Sequence, residues 1–175
     1  MRSKLRFTVV LLMVLGVGAG SSAIAQQMPA AEKGTAFDMQ QVARGRYLSR
    51  IAGCNDCHTE GYLVSEGKVP ETQWLTGASL GWRGPWGTTY GANLRLFVNA
   101  LTEEQWLATA RQLKARPPMP WFTLNTMDEA DLRALYQFLR YLGPAGKPAP
   151  AYVPPGQEPT TPFALFPSPP PTPPK

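Results

Sequence analysis

Apolar residues recur at helical spacing in three stretches of the chain, the first of which begins near residue 38. Asp38 can cap the start of a helix, and Gln41 stands at the position of the reciprocal partner of such a cap. One helical face then collects apolar or small residues, namely Val42, Gly45, Leu48, Ile51 and Ala52. The pattern predicts a first helix that leads directly into residues 54–58.

The second and third stretches have similar start and stop signals. A capping box predicts a second helix from Thr102, which Pro117 stops. Another capping box, Thr126 with Glu129, predicts a third helix, which Gly143-Pro144 ends. The apolar stripes are Trp106, Leu107, Ala110 and Leu113 in the second helix, and Leu132, Leu135, Tyr136, Leu139 and Leu142 in the third.

Residues 59–100 separate the first helix from the second, and they are rich in Gly, Trp and Tyr without a sustained period. They are predicted to form an ordered loop layer whose aromatic residues fill the core, namely Trp74, Trp82, Trp86 and Tyr90. A loop of this length is uncommon in a small domain unless something large packs against it. Three helices with such loops predict an all-α fold.

The first 25 residues have the pattern of a secretory signal peptide. A basic start precedes an uncharged apolar run, Phe7–Gly18, and small residues then end at Ala25. A retained membrane anchor is the alternative, but the run is shorter than the roughly 20 residues that span a bilayer. We therefore expect cleavage after Ala25, export to the periplasm, a leader over residues 26–38 and no membrane span in the mature chain.

Cleavage changes the charge balance of the protein. Because Arg2, Lys4 and Arg6 leave and no acid leaves with them, the formal charge falls from +5 to +2. The basic character of the whole chain therefore belongs mostly to the export signal. No nucleic-acid partner is expected, since that would require basic residues clustered on one face.

The C-terminal end has an unusual composition. Residues 146–175 contain 12 of the 19 prolines of the chain. Such a composition excludes helix interiors and central strands, and it predicts a disordered, extended tail. The folded domain is then expected to span residues 39–145.

The chain has two cysteines and one histidine, and all three lie within Cys54-Asn55-Asp56-Cys57-His58. A thioredoxin-like redox pair, part of a zinc site and a plain disulfide are three interpretations of such a pair of cysteines. A redox pair expects a βαβ setting, and a structural zinc needs four ligands where the chain offers three. A disulfide gives no reason for the only histidine to follow directly.

The same five residues match the attachment motif of a c-type haem. The spacing lets the thiols add across the vinyl groups of the haem while the adjoining imidazole reaches the iron from the same side. We therefore expect one covalent haem bound through Cys54 and Cys57, with His58 as an iron ligand.

The other axial position is expected to be filled by a methionine, because the chain has no second histidine. Met28 lies in the leader, Met39 begins the first helix, and Met127 is predicted to be the first residue inside the third helix. Met119 lies in a loop between two helices, and prolines on both sides stiffen that loop. Core filling is the alternative for a lone methionine, but this setting favours Met119 as a ligand.

The order of helix, C-x-x-C-H motif, loop, methionine and final helix resembles a class I cytochrome c domain over residues 39–145. More narrowly, three segments are similar to the cytochrome subunits of periplasmic sugar and alcohol dehydrogenases, namely Gly87-Thr88-Thr89-Tyr90-Gly91-Ala92-Asn93, Met119-Pro120-Trp121-Phe122 and Asp131-Leu132-Arg133-Ala134-Leu135-Tyr136-Gln137-Phe138-Leu139. Those subunits commonly carry three haem motifs, whereas this chain has one. The difference indicates a single-domain carrier that visits such a complex.

The resemblance implies a small cytochrome c fold around one haem, in which the first and last helices cross where Gly45 meets Tyr136. It also implies that Asn93, Tyr90 and Trp86 lie near the haem propionates. Hydrogen bonds that stabilise the loop are the alternative role for these three residues.

These features predict an exported monohaem cytochrome that carries single electrons between redox proteins, as a monomer or in transient complexes. A peroxidase-like haem enzyme is one alternative, and the absence of a second histidine as distal base weighs against it. A haem-based ligand sensor is another, and only the proline-rich tail favours it.

Overall fold

A computed structural model of the protein describes residues 36–167. The predicted signal peptide, the leader up to residue 35 and residues 168–175 lie outside this range. The described part contains six α-helices, namely α1 (Met39–Ile51), α2 (Cys54–His58), α3 (Leu94–Asn99), α4 (Glu103–Gln112), α5 (Trp121–Thr126) and α6 (Glu129–Leu142). None of these helices combines the length and the apolar character needed to cross a membrane.

Helix α1 begins as predicted at Asp38, whose Oδ1 accepts a hydrogen bond from the backbone N–H of Gln40 at 2.9 Å. The reciprocal bond expected from Gln41 does not form. Its Oε1 is buried and has no hydrogen-bond partner among the described residues. The residues buried along α1 are Val42, Gly45, Leu48 and Ser49. Ile51, predicted on this face, is exposed, because the chain turns at Gly53 into α2.

Helices α1 and α6 pack closely against each other. A Cβ on Gly45 would overlap the carbonyl of Ala134 and the Cβ of Phe138. Close approach at Gly45 is therefore confirmed, but its neighbours are Ala134 and Phe138 rather than Tyr136. The Tyr136 hydroxyl instead donates to the carbonyl of Leu101 at 3.0 Å.

The predicted capping box of α4 is confirmed. The hydroxyl of Thr102 accepts from the backbone N–H of Gln105 at 3.3 Å, and the Gln105 side chain accepts from the Thr102 N–H at 2.9 Å. The predicted capping box of the last helix is wrong, because Asp128 occupies the cap position of α6 and Thr126 ends the separate helix α5. A six-residue helix is too short to reveal itself by periodicity. Gly143 ends α6 as predicted, with φ 66°.

A small sheet accompanies the helices. Strands β1 (Gly81–Gly84) and β2 (Gly87–Tyr90) form an antiparallel hairpin. Strand β3 (Phe163–Leu165) pairs with β1 in parallel, so the order across the sheet is β2-β1-β3. The prediction of an all-α fold therefore missed a β component. Strands of three or four residues are too short to show a clear alternation of polar and apolar positions.

Residues 148–167, here called the C-terminal strap, lie against this hairpin. Val153 exchanges backbone hydrogen bonds with Thr88 of β2, and β3 covers the opposite edge at β1. The predicted disordered tail is therefore wrong for its described part, and the folded unit continues beyond residue 145. Prolines are tolerated in edge strands, where a missing N–H need not break a ladder bond, so the composition excluded a helix but not this pairing.

Candidate cofactor site

The C-x-x-C-H motif forms a helix of its own. Gly53 precedes α2 with φ 69°, a left-handed conformation that lets the chain leave α1 and turn at once into the next helix. Cys54 and Cys57 are three residues apart, so they share a face of α2, and neither forms a disulfide. His58 is the last residue of the same helix. The local fold therefore presents both thiols and the imidazole together.

A hydrogen bond orients the ring of His58. Its Nδ1 lies 2.7 Å from the backbone carbonyl oxygen of Ala92. An acceptor at that position assigns the proton to Nδ1, which leaves the lone pair of Nε2 for a metal. Burial lowers the pKa of His58 and thereby favours the neutral ring, which is the form that binds metals. Both features suit an iron ligand.

The thiols have the opposite electrostatic setting from a redox-active pair. Burial raises the pKa of Cys54 to about 11, and burial also raises the pKa of Cys57. In thioredoxin-like motifs the pKa of the reactive thiol is lowered instead. The motif also follows a helix, α1, and not a strand. The structure therefore disfavours a thioredoxin-like site.

A buried hydrogen-bond network holds α2 in place. Asn55 lies fully buried between the cysteines, where its amide donates to the Ser49 carbonyl at 3.4 Å and its Oδ1 accepts from the Thr59 hydroxyl at 2.6 Å. The same Thr59 oxygen accepts from the backbone N–H of Leu75 at 2.8 Å. The sequence alone did not single out Asn55 or Thr59, because a polar residue in a short motif gives no indication of burial.

Gly91 brings the end of the hairpin against the motif. A Cβ at this position would overlap the carbonyl of Cys57. Only glycine permits this approach, which places the carbonyl of the next residue, Ala92, beside His58. The sequence singled out this segment by resemblance alone, and the contact supplies a physical reason for the glycine.

One large cavity, of about 860 Å³, lies beside α2. Its volume falls within the range of roughly 300–1,000 Å³ that is typical of ligand and cofactor sites. Cys54, Cys57, His58 and Met119 all line it. Its walls are largely apolar and include Leu94, Phe97, Trp106, Leu135 and Leu139. The structure therefore brings together the residues predicted for covalent attachment and for both axial positions.

Met119 reaches this cavity from residues 113–120, here called the Met119 loop. The backbone N–H of Met119 donates to the carbonyl of Arg116 at 3.3 Å. The hydroxyl of Thr89, on β2, donates to the carbonyl of Pro117 at 2.7 Å. These bonds connect the loop to the hairpin just before Met119.

Met127 also lines the cavity, which the sequence did not indicate. The prediction that it starts the third helix is wrong, because it directly follows α5 with an extended backbone, φ −66° and ψ 141°. Met127 packs against the hydrophobic core. Met119, by contrast, lies in a loop that β2 holds from outside. The cavity therefore contains two thioethers, of which Met119 remains our predicted ligand.

Of the residues predicted near the propionates, only Tyr90 lines the large cavity. Its hydroxyl forms a hydrogen bond with Thr161 at 2.9 Å. Asn93 instead caps α3, and its amide donates to two backbone carbonyls that follow α6. The ring of Trp86 packs edge-on against Phe166. Asn93 therefore has the alternative role, in which its hydrogen bonds stabilise the surrounding loops, whereas the Nε1–H of Trp86 is buried without a partner among the described residues.

Trp82, on β1, lines the cavity as well, although the sequence suggested only core filling for it. Its Nε1–H is buried and has no hydrogen-bond partner among the described residues. An unpaired buried donor is costly, and a ligand with acceptor oxygens would relieve that cost. The indole is therefore a wall residue of the cavity that carries an unpaired donor.

Within residues 36–167, no group of three or more His, Cys, Asp or Glu side chains is arranged to hold a bare metal ion. The donors at the cavity are instead two thiols, one imidazole and two thioethers, set in apolar walls. This set fits a haem, since its iron brings its own ring nitrogens and needs only axial ligands from the protein.

Comparisons with protein-family models, with curated proteins and with solved structures found no match for this chain. The chemistry of the cavity is accordingly inferred from its own residues and their contacts.

Proposed function

We propose that the protein is an exported monohaem c-type cytochrome that carries single electrons between redox proteins in the periplasm. A periplasmic dehydrogenase is the proposed donor, and the respiratory chain is the proposed acceptor. The observation that carries the proposal is the convergence of Cys54, Cys57, His58 and Met119 on one apolar cavity of sufficient size. The mature protein is expected to act as a monomer that forms transient complexes.

Each protein group has a definite role in this proposal. Cys54 and Cys57 would hold the haem through C–S bonds, because each S–H group can add across a vinyl group, with the sulfur on one carbon and the proton on the other. His58 offers Nε2 to the iron because Nδ1 is engaged by Ala92. Met119 offers its thioether from the loop. The bound haem supplies a one-electron Fe(II)/Fe(III) couple.

The surroundings of the site favour electron transfer over substrate chemistry. The walls are largely apolar, and thioether ligation together with burial would favour the reduced state of the iron relative to two imidazole ligands. His58 is the only histidine of the chain, so no second imidazole is available as a distal base. Electron transfer would require no substrate to bind the metal and no distal base.

Intact mass spectrometry tests the covalent part of the proposal. The full-length chain, expressed with a working haem-attachment system, should retain the mass of one haem after denaturation. The protein part of that mass should correspond to a chain that begins at Gln26. The Cys54→Ser, Cys57→Ser double variant should lose the haem mass. A wild-type chain at apoprotein mass under the same conditions would contradict the proposal.

Spectroscopy and ligand binding separate the carrier from the alternatives. The ferric protein should be low-spin with the weak long-wavelength band of methionine ligation, and the reduced protein should bind carbon monoxide slowly. A high-spin protein that turns over peroxide at a substantial rate would support a haem enzyme instead. Rapid, reversible gas binding without peroxide turnover would support a ligand sensor.

A further inference from the structure

The C-terminal strap contacts the hairpin along most of its length. Phe166 packs on Trp82 and Trp86 with ring centroids 5.9 and 5.4 Å apart, and its backbone N–H donates to the Arg83 carbonyl at 2.7 Å. Glu158 forms a bidentate ion pair with Arg83. These contacts fix the strap to the sheet, but none of them involves the Met119 loop.

Tyr152 provides a separate contact, because it joins the strap to the Met119 loop. The guanidinium of Arg116 stacks over the Tyr152 ring, with Cζ 3.9 Å from the ring centroid. The Tyr152 hydroxyl donates to the carbonyl of Trp86 at 2.8 Å, which fixes the ring against the hairpin turn. Both Tyr152 and Arg116 line the large cavity. The strap therefore forms part of the wall on which the loop rests.

Arg116 is coupled to Met119 through the backbone. The Met119 N–H donates to the Arg116 carbonyl, and the two residues between them are prolines, which restrict the φ angles of the segment. The fixed φ angles of Pro117 and Pro118 therefore limit how far the backbone of Arg116 can move without Met119.

We propose that Tyr152 is a positioning residue for Met119, which makes the C-terminal strap a working part of the cofactor site. The ring of Tyr152 fixes Arg116, and Arg116 fixes the turn that presents the thioether to the iron. Release of the strap would let the loop move away and open the sixth coordination position. The role toward iron rests on the proposed cytochrome function, whereas the contact between strap and loop does not.

The test compares holoprotein variants at the two ends of the stack. Loss of an arginine–aromatic stack is expected to raise the population of the open loop by about 2- to 30-fold. Tyr152→Leu should therefore speed carbon monoxide binding to the reduced protein by this factor and weaken the methionine band of the ferric form. Arg116→Gln should do the same. The double variant should not exceed either single change, because both remove one contact.

Two control variants separate positioning from simple stabilisation. Tyr152→Phe keeps the stacked ring but loses the hydroxyl bond to Trp86, so it should change the band and the binding rate less than Tyr152→Leu does. Leu165→Ala alters β3 at a side chain that is 73% exposed, so it should leave both readouts at wild-type values. If Tyr152→Leu lowers thermal stability but changes neither band nor rate, or if the effects of Tyr152→Leu and Arg116→Gln simply add, the positioning role is refuted.

Amide exchange gives a readout that does not depend on the iron. The backbone amides of residues 113–116 and 119 should exchange faster in Tyr152→Leu than in Leu165→Ala. Faster exchange in a chain that carries no haem would refute the proposed function while supporting the contact between strap and loop. Unchanged exchange in a methionine-ligated protein would refute the contact while the cytochrome function stands.

Discussion

The two sides of the cavity are held in different ways. On the cysteine side, formed by α2 with Gly91 and Ala92, the supporting groups are buried, and Asn55 and Thr59 bond to each other and to the backbone. On the methionine side, formed by the Met119 loop and α5, the loop is held by exposed contacts with the hairpin and the strap, and the half-buried amide of Asn125 joins α5 to two carbonyls at the end of α4. Helix α5 also begins without a side-chain cap.

This difference indicates where the site can open. Segments with buried, fully paired groups open only with the whole fold, whereas segments held by exposed contacts open locally at a lower free energy. We therefore expect the imidazole and the thiols to belong to the part of the molecule that unfolds last. The thioether belongs to a part that can leave while the rest stays folded, so its ligation should respond to surface substitutions.

The largest effect is expected on the cysteine side, from Gly91→Ala. The new Cβ would overlap the backbone carbonyl of Cys57, and a backbone clash cannot be relieved by a change of rotamer. We expect a loss of about 3 kcal/mol or more in the free energy of unfolding, with little holoprotein recovered. A denaturant titration measures the loss of stability, and the yield of haem-containing protein measures the recovery.

Gly61→Ala is the matched control for this substitution. No atom lies within 4 Å of the added Cβ, although the residue has φ 71°. Its cost should therefore be limited to backbone strain, about 1–2 kcal/mol. Gly91 does not have a positive φ, so a loss in Gly91→Ala no larger than the loss in Gly61→Ala would show that the overlap with Cys57 costs little.

The methionine side should show the largest spectroscopic change, in Met119→Ala. Removal of the thioether should open the sixth position, lower the midpoint potential and speed the reaction with carbon monoxide. Met127→Ala, at the other thioether of the cavity, should cost about 1–3 kcal/mol of packing and leave the ligation unchanged. The midpoint potential and the methionine band of each variant show which of the two thioethers binds the iron. Loss of the band in Met127→Ala alone would reassign the ligand.

Asn55→Ala should have an intermediate effect. It leaves the Thr59 hydroxyl without its buried acceptor, which costs about 1–3 kcal/mol, and it loosens α2 while both thiols remain. The midpoint of denaturant unfolding measures this loss in the holoprotein. Asp56→Ala, at an exposed neighbour in the same motif, should change the midpoint little. Similar shifts for the two substitutions would contradict a special role for the buried network.

The smallest effect is expected from Glu158→Gln in the strap. The hydrogen bond from Arg83 lowers the pKa of the Glu158 carboxyl below its ordinary value, so the ion pair adds stability above that ordinary value and loses it as the pH falls through the lowered value. The thermal midpoint of the variant should be slightly below that of the wild type at pH 7. The difference should vanish in acid. A difference that persists below the lowered pKa would exclude this ion pair as its cause.

Much of the fold could be predicted from residues close together in the chain. The caps at Asp38 and Thr102, the end of α6 at Gly143 and most of the buried stripe of that helix follow from local propensity and periodicity. Short elements could not be predicted this way, because α5 and the three strands are shorter than the windows in which a period becomes visible. For the same reason α5 was not predicted, and the cap of the last helix was placed at Thr126 and not at Asp128.

The sequence by itself determined the candidate chemistry of this protein, because the C-x-x-C-H spacing acts within a single helical turn. Tertiary structure alone decided which distant residues meet that motif. It placed Met127 and Trp82 in the cavity, turned Asn93 into a cap, and laid the proline-rich strap against the hairpin and the Met119 loop. These outcomes depend on backbone hydrogen bonds and close contacts between segments far apart in the chain, and composition and periodicity carry no information about such pairings.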